Sequence, residues 1–105
     1  MKILLLCSVG MSTSLIVTKM KEALGPDEKD WVIEAKPVEK FKNEFKKYDV
    51  ILLGPQIWYK KDEFQKKAEK YGIPVGVIQA TDYGLAKGEN ILEFAKRLHE
   101  TARRL

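Results

Sequence analysis

Sulfur and imidazole are scarce in this chain: its 105 residues hold one cysteine, Cys7, and one histidine, His99. A single thiol forms no intramolecular disulfide, and no Cys/His cluster stands at ligand spacing, so neither a disulfide scaffold nor a structural zinc site is expected. Dithiol redox chemistry lacks its second sulfur. Long apolar runs are missing as well. Lys2 followed by Ile3-Leu4-Leu5-Leu6 and Cys7 is superficially like a lipoprotein signal, but the run is far too short, and Leu6 is not the small residue a cleavage site requires. No later segment approaches the length of a membrane span. These absences predict a soluble protein of a reducing cytosol, with no membrane insertion of its own.

Nor is charge of one sign concentrated anywhere. The net charge is +4, but lysines and acids interleave through 39–47 and 60–67, the pattern of solvated helix faces with i,i+4 pairing. Nucleic-acid binding wants a basic stripe with exposed aromatics, whereas Phe41, Phe45 and Phe64 fall at core spacing, so that function is not expected. A mildly basic surface still suits an acidic or phosphorylated partner. At 45% hydrophobic and 32% charged, the composition fits one compact domain over residues 1–105.

What is present is an alternation of strand and helix. Apolar runs at Lys2–Cys7, Trp31–Lys36, Val50–Gly54 and Pro74–Gln79 read as strands. Helical patterns lie between and after them. The first is predicted from Thr13 to Leu24, burying Leu15, Ile16, Met20 and Leu24 and stopped by Gly25-Pro26. The second is predicted over Val38–Tyr48 on the stripe Val38, Phe41, Phe45 and Tyr48. The third covers Lys60–Tyr71, with Phe64, Ala68 and Tyr71 inward and Gly72 as its cap. The last starts at Asn90 as N-cap and turns Ile91, Phe94, Leu98 and Ala102 inward. Such alternation predicts an α/β fold, a three-layer domain with a parallel sheet between helices.

Burial demands order the strands. Ile3–Leu6 and Val50–Leu53 are apolar at every position, as strands covered on both faces must be, and take the centre. Polar residues in the second strand, and Pro74 and Gly76 in the fourth, mark edges. The expected order is 2-1-3-4. Ligands of such sheets bind beyond the carboxyl ends of the strands where the winding reverses, here between strands one and three. The segments meeting there are Cys7–Ser14 and Gly54-Pro55-Gln56, with the loop Ala80–Gly84 close by.

Cys7 thus ends a strand and opens Ser8-Val9-Gly10-Met11-Ser12-Thr13-Ser14, a small polar run leading into a helix. Loop amides and the helix N-terminus converge on one spot, where an anion on sulfur is stabilised; an accessible, activated nucleophile is expected. The bland alternative is a buried cysteine acting as a small hydrophobe, which would have no need of that cradle. A thiolate so held can form a thiophosphate. Low-molecular-weight tyrosine phosphatases share the strand, cysteine, loop and helix design, but carry an arginine six positions after the cysteine, where this chain has Thr13. Without that bidentate cation the phosphoryl charge of the transition state is less well neutralised. Asp82 could imitate a phosphatase general acid, or simply form a turn before Tyr83-Gly84. Acyl-transfer chemistry needs a histidine beside the thiol, and His99, late in the last helix, is expected at the surface. Met11 and Trp58 are either core or an exposed docking patch.

The run from Cys7 to Leu15 is very similar to the phosphorylation loop of the IIB components of the lactose/cellobiose/chitobiose branch of the bacterial sugar phosphotransferase system. Leu53-Gly54-Pro55-Gln56-Ile57 resembles that family's second loop, and Tyr83-Gly84 its late Tyr-Gly turn. The resemblance spans the whole chain. It implies a cytoplasmic phosphotransferase with the fold argued above, resembling that of low-molecular-weight tyrosine phosphatase. Cys7 would accept phosphate from a phosphohistidine of a IIA component and pass it to a sugar, a β-linked disaccharide such as cellobiose, chitobiose or lactose, at the membrane IIC component. The amides of Ser8 to Ser14 would hold the phosphoryl oxygens, with hydroxyls of Ser12, Thr13 and Ser14 as further donors, Gly10 permitting the turn, and Gln56 and Tyr83 as walls. No metal or organic cofactor is implied. Val9 departs from the alanine of many relatives, without expected consequence because the loop there acts through its backbone. A Cys-dependent phosphatase and a non-catalytic flavodoxin-like binding module are the competing readings.

Overall fold

The first strand shows why this chain folds around its N-terminus. Side chains alternate across a strand, and β1 (Lys2–Cys7) sends Ile3 and Leu5 into one apolar layer and Leu4 and Leu6 into another. All four are buried, so β1 is covered on both faces. The computed structural model describes residues 1–8 and 11–104, the side chains at 11–13 excepted. Its four strands, β1, β2 (Val32–Pro37), β3 (Val50–Leu53) and β4 (Val75–Val77), are parallel in the order β2-β1-β3-β4, as burial predicted. Register pairs Leu6 with Lys36 on one side and Leu53 on the other.

On one face, α1 (Met11–Glu22) and α5 (Gly88–Arg103) supply Ile16, Met20, Ile91, Leu92 and Ala95 to the layer that holds Ile3, Leu5, Ile33 and Leu52. On the other, α2 (Phe41–Glu44) and α3 (Lys61–Glu69) bring Phe41, Phe64 and Ala68 against Leu4, Leu6, Ile51 and Leu53. Phe41 stacks on Phe64 with centroids 3.8 Å apart and on Phe45 at 4.6 Å.

Several boundaries differ from expectation, each for a local reason. α1 ends at Glu22, because the Ala23 and Leu24 amides turn back to the Met20 and Lys21 carbonyls in tighter i→i+3 bonds. Leu15 is 54% exposed instead of buried: Ile16 and Met20, four apart, define the inner stripe, and Leu15 lies a residue's rotation off it. The second helix is not continuous. It breaks into 3-10 turns at 38–40 and 45–47 around the single α turn of α2, with Glu44 at φ −118°. There the Glu44 carboxylate is clamped by Lys36 of β2 and by Lys47, which draws its pKa down to about 2.

α3 stops at Glu69, so Tyr71 leaves the inner stripe and is exposed, its ring edge-on to Phe45 and beneath Lys46. Gly72 does cap the turn, at φ 71°, a conformation that costs glycine little. β4 is short. On its outer edge the Gln65 carboxamide accepts from the Val75 N–H at 3.0 Å and donates to the Ile73 carbonyl at 3.4 Å, in the place of a neighbouring strand's peptide. The segment expected as a loop after it is a helical turn, α4 (Ala80–Gly84). α5 starts at Gly88, ahead of Asn90, whose side chain donates to Asp82 instead of capping.

Candidate functional site

Cys7 lies at the carboxyl end of β1, between β2, where it pairs with Pro37, and the end of β3. The Gly54 N–H donates to the Leu6 carbonyl at 2.9 Å, tying the segment after β3 to the peptide that joins Leu6 to Cys7. The direction of winding reverses between these two strands, so three connections rise around the cysteine: Ser8 into α1, the 3-10 segment Pro55–Lys60 after β3, and α4 after β4.

Cys7 itself is 1% exposed, which corrects the expectation of an accessible thiol: its side chain belongs to a strand enclosed by both helical layers. Ser8 is exposed. Val9 and Gly10 lie outside the described residues, as do the side chains of Met11, Ser12 and Thr13. The backbone of Met11, Ser12, Thr13 and Ser14 forms the first turn of α1, the four residues whose N–H groups have no acceptor within their own helix. Ser14 is exposed, and its carbonyl accepts from the Thr18 hydroxyl at 3.0 Å.

Gln56 and Tyr83 come together at this edge. Atoms of both lie within 4 Å of the space directly above Gly54. Gln56 is exposed, whereas Tyr83 is buried in the layer of Ile3 and Leu5, its ring reaching across to the end of β3. Asp82 is turned elsewhere: its carboxylate accepts from Asn90 of α5 at 3.1 Å, which makes it a tie between α4 and α5. His99 is half-buried on the last turns of α5, beside Leu98, Thr101 and Ala102, which line a groove with Ile73, Pro74 and Val75. That groove opens at the amino end of β4, so in a parallel sheet the histidine lies at the edge opposite to Cys7.

Trp58 is 65% exposed and meets Tyr59 edge-on at 6.2 Å, so it is a surface residue, while Ile57 is buried. Leu15, Tyr59 and Leu85 are exposed as well. All four stand on connections leaving the carboxyl ends of β1, β3 and β4. Sequence periodicity points Leu15 inward and passes over Leu85; the signal it lacks is the sheet edge to which their connections belong. Among the described residues no group of His, Cys, Asp and Glu is arranged to hold a metal ion, and no helix is long and apolar enough to cross a membrane.

Comparison with known proteins gives this edge its context. Residues 2–94 match the family model described as "PTS system, Lactose/Cellobiose specific IIB subunit". The chain is 45% identical over 100 residues to the oligo-beta-mannoside-specific EIIB component of Bacillus subtilis, covering 92% of this chain and 94% of that one. It is 44% identical over 101 residues to the cellobiose-specific EIIB component of Lactococcus lactis, covering 91% and 94%. Among solved structures, a cellobiose-specific IIB component from Borrelia burgdorferi is similar at TM-score 0.77 and 31% identity, over 97% of this chain and 94% of that one. The lactose-specific IIB domain from Streptococcus pneumoniae shares the fold at TM-score 0.80 with 22% identity, over 93% and 96%. With the family model spanning both central strands, the cysteine loop and the start of α5, the chain belongs to the lactose/cellobiose-specific IIB family of the sugar phosphotransferase system.

Proposed function

We propose that Cys7 is the residue on which this IIB component carries phosphate, and that residues 1–105 act as one IIB domain. The observation that carries the reading is the position of Cys7 at the switch between β1 and β3, one loop ahead of the first turn of α1. A IIB component is a phosphotransferase that works with IIA and IIC components. In this reading the donor is a phosphohistidine of IIA. The N–P bond breaks as the S–P bond forms, and any thiol proton leaves with the donor imidazole. The S–P bond then breaks as a sugar hydroxyl held by the membrane IIC component takes the phosphoryl group, its proton passing to the sulfur.

The amides of Ser8 to Ser14 hold the phosphoryl oxygens, hydroxyls of Ser12, Thr13 and Ser14 add donors, and Gln56 and Tyr83 wall the site. Because Cys7 is buried, donor docking and exposure of the sulfur are coupled in this reading. Leu15, Trp58, Tyr59 and Leu85 supply the apolar surface on which IIA and IIC dock in turn, a cytoplasmic encounter. The transported sugar is a β-linked disaccharide, in line with the cellobiose and β-mannoside specificities named for relatives.

The test is mass spectrometry after incubation with phosphorylated IIA. The wild-type protein is expected to gain one phosphoryl group on Cys7, and Cys7→Ser to fold normally and gain none. Full uptake by Cys7→Ser would overturn the assignment. Release of free phosphate without a phosphoprotein would indicate a phosphatase, and no reaction a binding module.

A further inference from the structure

Gly54 has ordinary extended backbone, φ −60° and ψ 150°, which any residue adopts. Its lack of a side chain therefore answers a need for space and not for an unusual conformation. A Cβ on Gly54 would stand 2.8 Å from Gln56 Oε1, 3.4 Å from Tyr83 Cε2 and 3.6 Å from the Leu6 carbonyl oxygen. The Gln56 carboxamide oxygen is folded back over the end of β3 into the room a Gly54 side chain would occupy, at the point where the Gly54 N–H meets the Leu6 carbonyl.

We propose that Gly54 is a positioning residue for phosphoryl transfer: it keeps a slot open in which the Gln56 carboxamide lies beside the Leu6–Cys7 peptide, its Nε2–H donating to an oxygen of the phosphoryl group on Cys7. This rests on Cys7 as the acceptor. The amide exchanges no proton; it stabilises charge on the phosphoryl oxygens without bringing a cation that would also help water. The atom nearest the missing Cβ is the far end of a flexible side chain. A methyl group at position 54 therefore displaces Gln56 while asking little of the backbone, and function and stability separate.

The experiment is a double-mutant cycle of Gly54→Ala and Gln56→Ala, read as the single-turnover rate of label transfer from phosphorylated IIA to Cys7. Each single variant is expected to transfer about tenfold more slowly than wild type, and the double variant no more slowly than Gln56→Ala, because the group that Gly54 makes room for is already gone. Melting temperatures should stay close to wild type, and the Gln56 side-chain amide resonances should shift in Gly54→Ala. A wild-type rate in either single variant overturns the proposal. So does a Gly54→Ala effect that persists undiminished in the Gln56→Ala background, which would mean that Gly54 acts through Tyr83 or the backbone. Should Gly54→Ala fail to fold, the rate of Gln56→Ala alone still decides. If wild type takes up no label on Cys7, the acceptor assignment itself falls; label on Cys7 with unaffected variants removes only the role of Gly54 and Gln56.

Discussion

In the proposed reading a phosphocysteine at Cys7 lasts only as long as water is poorly helped to attack it, and the residue six places further on bears directly on that. Thr13 offers a short neutral side chain where a phosphatase has an arginine that clamps two phosphoryl oxygens. For a carrier the deficit is useful, since the phosphate must survive until a sugar arrives. Thr13→Arg should shorten the life of the phosphocysteine by about tenfold, or 1.4 kcal/mol of barrier. The effect is expected to be modest because Asp82, the residue best placed in sequence to act as a general acid, is engaged with Asn90. Loss of label from the isolated phosphoprotein, wild type against Thr13→Arg at fixed pH, measures it. An equal or longer lifetime in a folded variant would show that something other than the missing cation protects the phosphate. The placement of Cys7 at the end of a strand, just ahead of a helix, could be read from sequence because an apolar run gives way there to small polar residues and then to a helical pattern. That Gln56 and Tyr83 stand at one edge was expected; that both reach into the space over Gly54 was not legible, because it depends on how α4 folds back over the end of β3.

At the scale of elements, the order of strands was legible because burial on both faces leaves an unbroken apolar run, as in Ile3–Leu6 and Val50–Leu53. The helices were less so. Phe41, Phe45 and Tyr48 do face inward, but the hold of Lys36 and Lys47 on Glu44 comes from β2 and from the chain beyond, which local periodicity does not report. The start of α5 is set in the same non-local way. A Cβ on Gly88 would meet the Lys19 carbonyl carbon at 2.3 Å and the Met20 nitrogen at 2.5 Å, backbone atoms of α1 that have no room to yield. The two helices touch main chain to main chain at this point, so the residue in contact must be glycine. Gly88→Ala should therefore destabilise the protein by about 1–3 kcal/mol despite the better helix propensity of alanine. The midpoint of urea unfolding reads this directly, and an unchanged midpoint would mean that α1 and α5 slide apart at no cost.

Across the whole molecule, two apolar layers hold the sheet while a few ion pairs fix the chain that runs between them. Glu44 joins β2 to the segment that carries Phe41 and Phe45, and Glu28, held by the Gly25 N–H and by Lys96, joins the turn after α1 to α5. Both carboxyls are drawn below their ordinary value, Glu28 chiefly by the Gly25 N–H and Glu44 to about 2, chiefly by hydrogen bonding to Lys36 and then Lys47. A carboxyl whose pKa is depressed in the folded state binds its proton more readily once unfolded. Its stabilisation is thus complete above the ordinary carboxylate value and drains away as pH falls toward the folded one. For Glu44 the window runs from about pH 4.5 down to about 2. Lys47 is largely exposed, so salt should weaken its share of the effect more than that of Lys36. Unfolding free energy measured in urea between those pH values should fall as acid is added, and Glu44→Gln should show a shallower fall than wild type while differing from it least at the acid end. Parallel pH profiles for the two proteins would place the acid sensitivity of this fold elsewhere than in the clamp between β2 and α2.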